Sequence, residues 1–143
     1  MPGKKNLLDQ LGVVPLFAGL SKADLQRIAA AADEVEVKPG RVLVEQGRLG
    51  HEFFLILDGT ALVRRNNRKV ATLGSGSYFG ALSLLDKGPR DATVLAETDM
   101  RLLVLGQREF LALLDDVPGL TMKLLRNMAR RLHQAEMPAA SRR

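Results

Sequence analysis

The apolar residues of this chain change their spacing twice, and each change marks a different kind of element. Leu7, Leu8, Leu11, Val14, Leu16 and Phe17 form a short apolar entry segment, with Pro15 limiting its helix. Ser21-Lys22-Ala23-Asp24 has the form of a capping box, and Leu25, Ile28, Ala29 and Ala32 carry a helical stripe behind it. The period then drops to two. Val35-Glu36-Val37 alternates, Pro39-Gly40 turns the chain, and Val42-Leu43-Val44 resumes an extended segment. Short apolar runs separated by turn signals continue to residue 105. The run 53–57 stops at Asp58-Gly59, 61–63 leads to Asn66-Asn67, and 70–73 leads to Gly74. With 92–96 and 102–105 these make about eight short strands, whose even spacing predicts an antiparallel sandwich or jelly roll. A single helical turn, over residues 81–86, interrupts them.

Helical spacing returns at the end. The segment 107–114 presents Phe110, Leu111 and Leu114. After Val117-Pro118-Gly119, the segment 120–134 strings Leu120, Leu124, Leu125, Met128 and Leu132 along one stripe, with Lys123, Arg126, Arg130 and Arg131 elsewhere. Residues 1–9 read as an N-terminal extension, 10–136 as one domain, and 137–143 as a disordered tail.

Composition narrows the function more than the fold. A chain of 143 residues, 46% hydrophobic and 26% charged, suits one globular domain with a single core. No apolar run approaches the roughly 20 residues that cross a bilayer, and the polar start is unlike a signal peptide, so a cytoplasmic location is expected. The absence of cysteine excludes disulfides, thiol nucleophiles and thiolate metal sites. The two histidines, His51 and His133, lie far apart, so no metal site is expected. No Ser/His/Asp grouping and no HExxH motif is present, so the chain is not expected to be an enzyme.

A net charge of +5 favours anionic partners: nucleotides, nucleic acid or acidic protein surfaces. The positive charge is scattered, apart from Arg64-Arg65 with Arg68-Lys69, the segment 123–131, and Arg142-Arg143. Aromatics for stacking bases are few, and nothing after the last helix could serve as a helix-turn-helix. A solvated basic surface is therefore expected, without direct nucleic-acid binding.

The candidate chemistry lies in one segment. Gly76-Ser77-Tyr78-Phe79-Gly80-Ala81-Leu82-Ser83-Leu84-Leu85 precedes Gly88-Pro89-Arg90-Asp91-Ala92-Thr93-Val94. It reads as a glycine-rich turn, one helical turn, a second tight turn, and a lone arginine entering a β-branched strand. A helix N-terminus exposes unpaired backbone N–H groups, and an arginine adds a planar fork matched to phosphate oxygens. The pairing predicts a phosphate pocket; the plain alternative is a surface arginine beside an ordinary turn.

The flanking segments extend this reading. Lys38-Pro39-Gly40, Gly47 and 53–61 precede the cassette, and 98–105, Phe110 and Pro118 follow it. In that order they resemble the cyclic nucleotide-binding domain family over about residues 10–133. The resemblance implies a mainly β fold with flanking α: an eight-stranded antiparallel β-roll (jelly roll) with an N-terminal helix and two C-terminal helices. It implies a regulatory domain that binds cyclic AMP or cyclic GMP as ligand, without metal. Arg90 takes the place of the family arginine that grips the cyclic phosphate. Backbone N–H groups of Leu82, Ser83, Asp91 and Ala92 complete the cradle, and Gly80 allows close approach to the ribose.

Two positions depart from the family pattern. Ala81 occupies the slot of a glutamate that binds the ribose 2′-hydroxyl, and losing such a bond costs about 1.5–3 kcal/mol, roughly 10- to 150-fold in affinity. Asp91 stands where the family carries a small residue. A hydroxyl there favours guanine, so its absence points to cyclic AMP. The Asp91 carboxylate faces away from the site, repels the phosphate, or partners Arg90 in place of the missing glutamate. Arg130 or Arg131 stands where some relatives supply a base-capping arginine; the alternative is a solvated helix face.

The stripe on 120–134 either packs on the roll or pairs with a second copy as a homodimer. Two further readings stay open: a degenerate member of the fold that works as a protein-interaction module, or the sensory half of a transcription regulator lacking its DNA-binding domain.

Overall fold

The computed structural model describes residues 4–141, with side chains from residue 7 to residue 135. Two helices come first, α1 (Lys4–Gly12) and α2 (Lys22–Ala31), joined through a 3-10 turn at Pro15–Phe17. Proline at the start of that turn has no N–H to lose, which is why Pro15 ends one helical segment and opens the next. Ser21 caps α2 by accepting a hydrogen bond from the Asp24 N–H at 3.1 Å, as its capping box predicts. The strands follow: β1 (Asp33–Val37), β2 (Val42–Val44), β3 (Glu52–Asp58), β4 (Ala61–Arg65), β5 (Arg68–Leu73) and β6 (Tyr78–Phe79). A short helix α3 (Ala81–Leu85) separates them from β7 (Thr93–Ala96) and β8 (Met100–Gly106), and α4 (Gln107–Asp116) and α5 (Pro118–Ser141) end the chain.

Among the described residues the strands pair antiparallel in two four-stranded sheets, in the orders β1-β8-β3-β6 and β2-β7-β4-β5. This is the expected β-roll. The apolar run on β3 explains how the layers stack. Phe53, Leu55 and Leu57 enter one buried cluster with Leu16, Phe17, Phe110, Leu120 and Leu124 from the helical elements. Phe54 and Ile56 enter a second cluster with Ala61, Val94 and Ala96 of the opposing sheet. Alternate residues of β8 divide in the same way, Leu103 and Leu105 toward the helices, Leu102 and Val104 toward the second sheet. The β3–β8 pair is thus buried on both faces, so β3 reads as continuous rather than alternating.

Three local features differ from the sequence expectation. Two helices precede the roll, as the apolar spacing on either side of Pro15 predicts, where the family resemblance implies one; residue 9 lies inside α1. A two-residue strand, β6, pairs with β3 through Phe54–Phe79 and Leu55–Tyr78; it is too short to show a period. α5 extends to Ser141, across positions 137–141 where the sequence predicts a disordered tail, and passes through Pro138. The remainder of the extension and tail expectations, residues 1–3 and 142–143, lies outside the described residues.

Candidate functional site

The site is built where β6 turns into α3 beneath the start of β3. Gly80 adopts φ 98°, the left-handed region, and caps α3 without any side-chain hydrogen bond. A Cβ at Gly80 would lie 2.7 Å from the Glu52 carbonyl oxygen and 2.9 Å from Arg90 Nη1. Glycine is required there twice over, by backbone conformation and by space. After α3, Asp86 closes a tight turn by accepting from the Gly88 N–H at 2.9 Å, and Lys87 takes φ 59°. The chain then lies against the segment before β3. The Arg90 N–H donates to the Arg48 carbonyl at 2.8 Å, and the Gly47 N–H donates to the Arg90 carbonyl at 2.8 Å.

These contacts aim Arg90 inward. It is 6% exposed, and its guanidinium lies on the mini-helix: Nη1 donates to the Gly80 carbonyl at 3.0 Å and to Ser83 Oγ at 2.7 Å, and Nη2 donates to the Glu52 carbonyl at 2.8 Å. Its Nε is buried with no partner among the described residues. Among the described residues no ion pair involves Arg90; all its partners are neutral oxygens. Burial pulls its pKa below the ordinary arginine value, against the smaller opposing influence of the Glu52 and Asp91 charges. A buried cation without a touching counter-ion is costly, and such a group gains from any anion that reaches it.

Gly50 forms the wall beside this side chain. A Cβ there would fall on Arg90 Nε, Cζ and Nη2, so glycine is what leaves room for the guanidinium. Sequence reading did not single out Gly50 or the Glu52 carbonyl. Main-chain acceptors leave no mark in residue type, and a glycine needed for space looks like a loop glycine.

The residues picked from sequence divide into two groups. Gly80, Ser83 and Arg90 meet directly, and Ala81 stands in the same turn of helix. Ala81 is 4% exposed and joins Leu84 in the helix-side core. Leu82 is exposed. The Asp91 side chain is exposed too, and its carboxylate approaches Arg65 Nη2 at 3.7 Å while Arg65 Nε donates to the Asp91 carbonyl at 3.2 Å. Asp91 therefore turns toward the β4–β5 hairpin and does not replace a glutamate as partner of Arg90. Arg65 was legible only as one of a basic cluster. Ala92 is buried just before β7.

Arg131 lies over the Tyr78 ring, 5.4 Å from its centroid, and the Tyr78 hydroxyl accepts from Asn127 Nδ2 at 3.2 Å. Both side chains come from α5, so that helix lies across the strand leading into α3. Arg130, its neighbour, is exposed.

A separate cleft of about 610 Å³ opens at the opposite end of β3, lined in part by Lys38, Asp58, Asp99 and Arg101. Four of its charged residues pair with each other: Lys38 with Asp99 at 3.7 Å, and Arg101 with Asp58 at 2.7 Å. It contains none of the ligand-binding residues read from the sequence.

Residues 34–117 match the profile of the cyclic nucleotide-binding domain. The chain belongs to this family. The cyclic nucleotide-binding domain here is 38% identical over 118 residues to the cAMP-dependent protein kinase regulatory subunit of Schizosaccharomyces pombe, covering 82% of the chain and 28% of that protein. It is 33% identical over 128 residues to the Cyclic AMP receptor protein of Thermus thermophilus, covering 86% and 59%. The crystal structure of the Thermus thermophilus Catabolite Activator Protein superposes with a TM-score of 0.82 at 32% identity, covering 88% of the chain and 62% of that structure. The domain thus spans about a quarter of the kinase subunit and somewhat over half of the bacterial receptor.

Proposed function

We propose that this chain is a non-catalytic sensor domain that binds cyclic AMP at the α3–Arg90 cassette. The observation that carries this reading is the buried guanidinium of Arg90. Among the described residues nothing charged touches it, its Nε has no partner, and it lies against a helix start that no side chain caps. A cyclic phosphodiester brings one negative charge and two free oxygens, which suits one arginine plus a few amides. The N–H groups of Leu82, Ser83, Asp91 and Ala92 are the amides assigned to it. The names of the kinase subunit and the bacterial receptor support cyclic AMP over cyclic GMP, as does the lack of a hydroxyl at position 91.

Asp91 is compatible with a phosphate because Arg65 holds its carboxylate outward. Of the two candidate base caps, Arg131 is assigned the role, being already anchored beside the cassette on Tyr78. Ala81 and Leu84 of α3 share one apolar cluster with Phe110, Leu113, Leu120 and Leu124 of the last two helices. Drawing the cassette inward around a phosphate would therefore be felt at the α4–α5 junction near Val117, a two-state element biased by the ligand.

Calorimetric titration of the chain with cyclic AMP and cyclic GMP tests the reading. Saturable binding with preference for cyclic AMP is expected, weakened to tens or hundreds of micromolar because position 81 lacks an acceptor. Millimolar or absent binding of both would favour a degenerate interaction module instead. That second reading draws on the neutral oxygens that already occupy both Nη groups of Arg90.

The outer face of α5 supports a homodimer. Met122, Leu125, Ala129 and Leu132 recur at spacings of three and four, all exposed, while Leu120 and Leu124 pack on the roll. Light scattering of the Leu125→Glu, Leu132→Glu double variant is expected to give a monomer where the parent gives a dimer. A parent that is monomeric at high concentration would remove this assignment.

A further inference from the structure

Among the described residues, Ser83 is the one side chain that holds Arg90. Its hydroxyl is buried, the residue being 8% exposed, and it accepts the shortest of the guanidinium's hydrogen bonds, at 2.7 Å. The other two acceptors, the carbonyls of Gly80 and Glu52, belong to the main chain. A serine hydroxyl also has a proton of its own to donate. Among the described residues that proton has no protein acceptor, since the bond from Arg90 is the only one Ser83 Oγ makes. A buried hydroxyl that accepts from a cation and has a free proton beside an unpartnered Nε is half of a binding device.

We infer that the Ser83 side chain, and not only its backbone, is a ligand-positioning group: it steers the Arg90 guanidinium in the free protein and donates its O–H to one exocyclic oxygen of the bound cyclic phosphate. This rests on the cyclic nucleotide reading above. The chemistry follows from the neighbours. No carboxylate orients Arg90 here, because Ala81 offers none and the Asp91 carboxylate is turned to Arg65. A hydroxyl can do what a carboxylate cannot. It accepts from the guanidinium, yet adds no negative charge against the incoming phosphate, and it contributes a second donor once the phosphate has arrived. The Ser83 position on the first turn of α3 places this hydroxyl beside its own N–H, so amide and hydroxyl of one residue would serve adjacent oxygens.

The test uses the full chain with Ser83→Ala and Ser83→Thr, cyclic AMP, and the two diastereomers of its phosphorothioate, in which one or the other exocyclic oxygen is sulfur. An O–H donor binds oxygen better than sulfur. The parent is therefore expected to distinguish the two diastereomers, and Ser83→Ala to bind cyclic AMP about tenfold more weakly, with most of that discrimination lost. Ser83→Thr, which keeps the hydroxyl, should restore the discrimination. A Ser83→Ala protein that binds cyclic AMP as the parent does, or that loses affinity equally for all three ligands, would overturn the inference while leaving the sensor reading intact. A separate measurement covers the free protein. With nitrogen-labelled arginine, the Nε–H resonance of Arg90 should exchange slowly with solvent in the parent and faster in Ser83→Ala; no change would show that the hydroxyl does not steer the guanidinium. If the parent binds no cyclic nucleotide at all, the function reading fails, and this resonance alone decides whether Ser83 holds Arg90.

Discussion

Replacing Arg90 with alanine is expected to weaken cyclic AMP binding at least about 100-fold, beyond the reach of calorimetry at ordinary protein concentrations. The magnitude follows from burial. A guanidinium that is 6% exposed and touches only neutral oxygens has already lost its water, so its attraction to a phosphate is undiluted by solvent. The cost to the fold should be smaller. Alanine orphans the Gly80 and Glu52 carbonyls, but it also removes an uncompensated buried charge, and these effects oppose each other. Binding and thermal melting measured on the same variant separate the two. A variant that unfolds as the parent does and still binds within about tenfold would show that Arg90 is a structural residue.

Gly50→Ala is expected to abolish binding by a different route. Gly50 has no left-handed backbone to satisfy, so alanine is conformationally acceptable, but its methyl would occupy the space of Arg90 Nε and Cζ. The guanidinium must leave the pocket. Affinity should fall to the level of Arg90→Ala, since the phosphate loses the same partner. Stability should fall further than in Arg90→Ala, by about 1–3 kcal/mol, because three hydrogen bonds break while the long side chain still has to be placed. The double variant Gly50→Ala, Arg90→Ala should recover part of that loss, as the methyl then meets no guanidinium. If Gly50→Ala binds cyclic AMP like the parent, the wall is softer than its geometry implies and the pocket is not shaped around Arg90.

The parts of this molecule that were legible in the sequence are those where residue type encodes geometry. Positive φ at Gly80 and the start of α3 follow from the glycine itself, and the turn at Asp86–Gly88 from its own residues. The two C-terminal helices follow from their apolar spacing. β6 was not legible, because a two-residue strand has no period and exists only through its pairing with β3. The direction of Asp91 was not legible either. It is decided by Arg65, 26 residues earlier, which reaches it only once β4 and β7 have paired. The same holds for the acceptors around Arg90, two of which are main-chain carbonyls. A site made of backbone is written in topology.

β3 belongs to both cores, and its first residue supplies the Glu52 carbonyl beneath Arg90. The floor of the cradle is thereby anchored in a strand that cannot fray without dissolving both clusters at once. Substitutions can retune such a site from its helices, yet have little freedom to loosen its foundation. In the sensor reading, signals would leave through the helical side while the anvil beneath stays still.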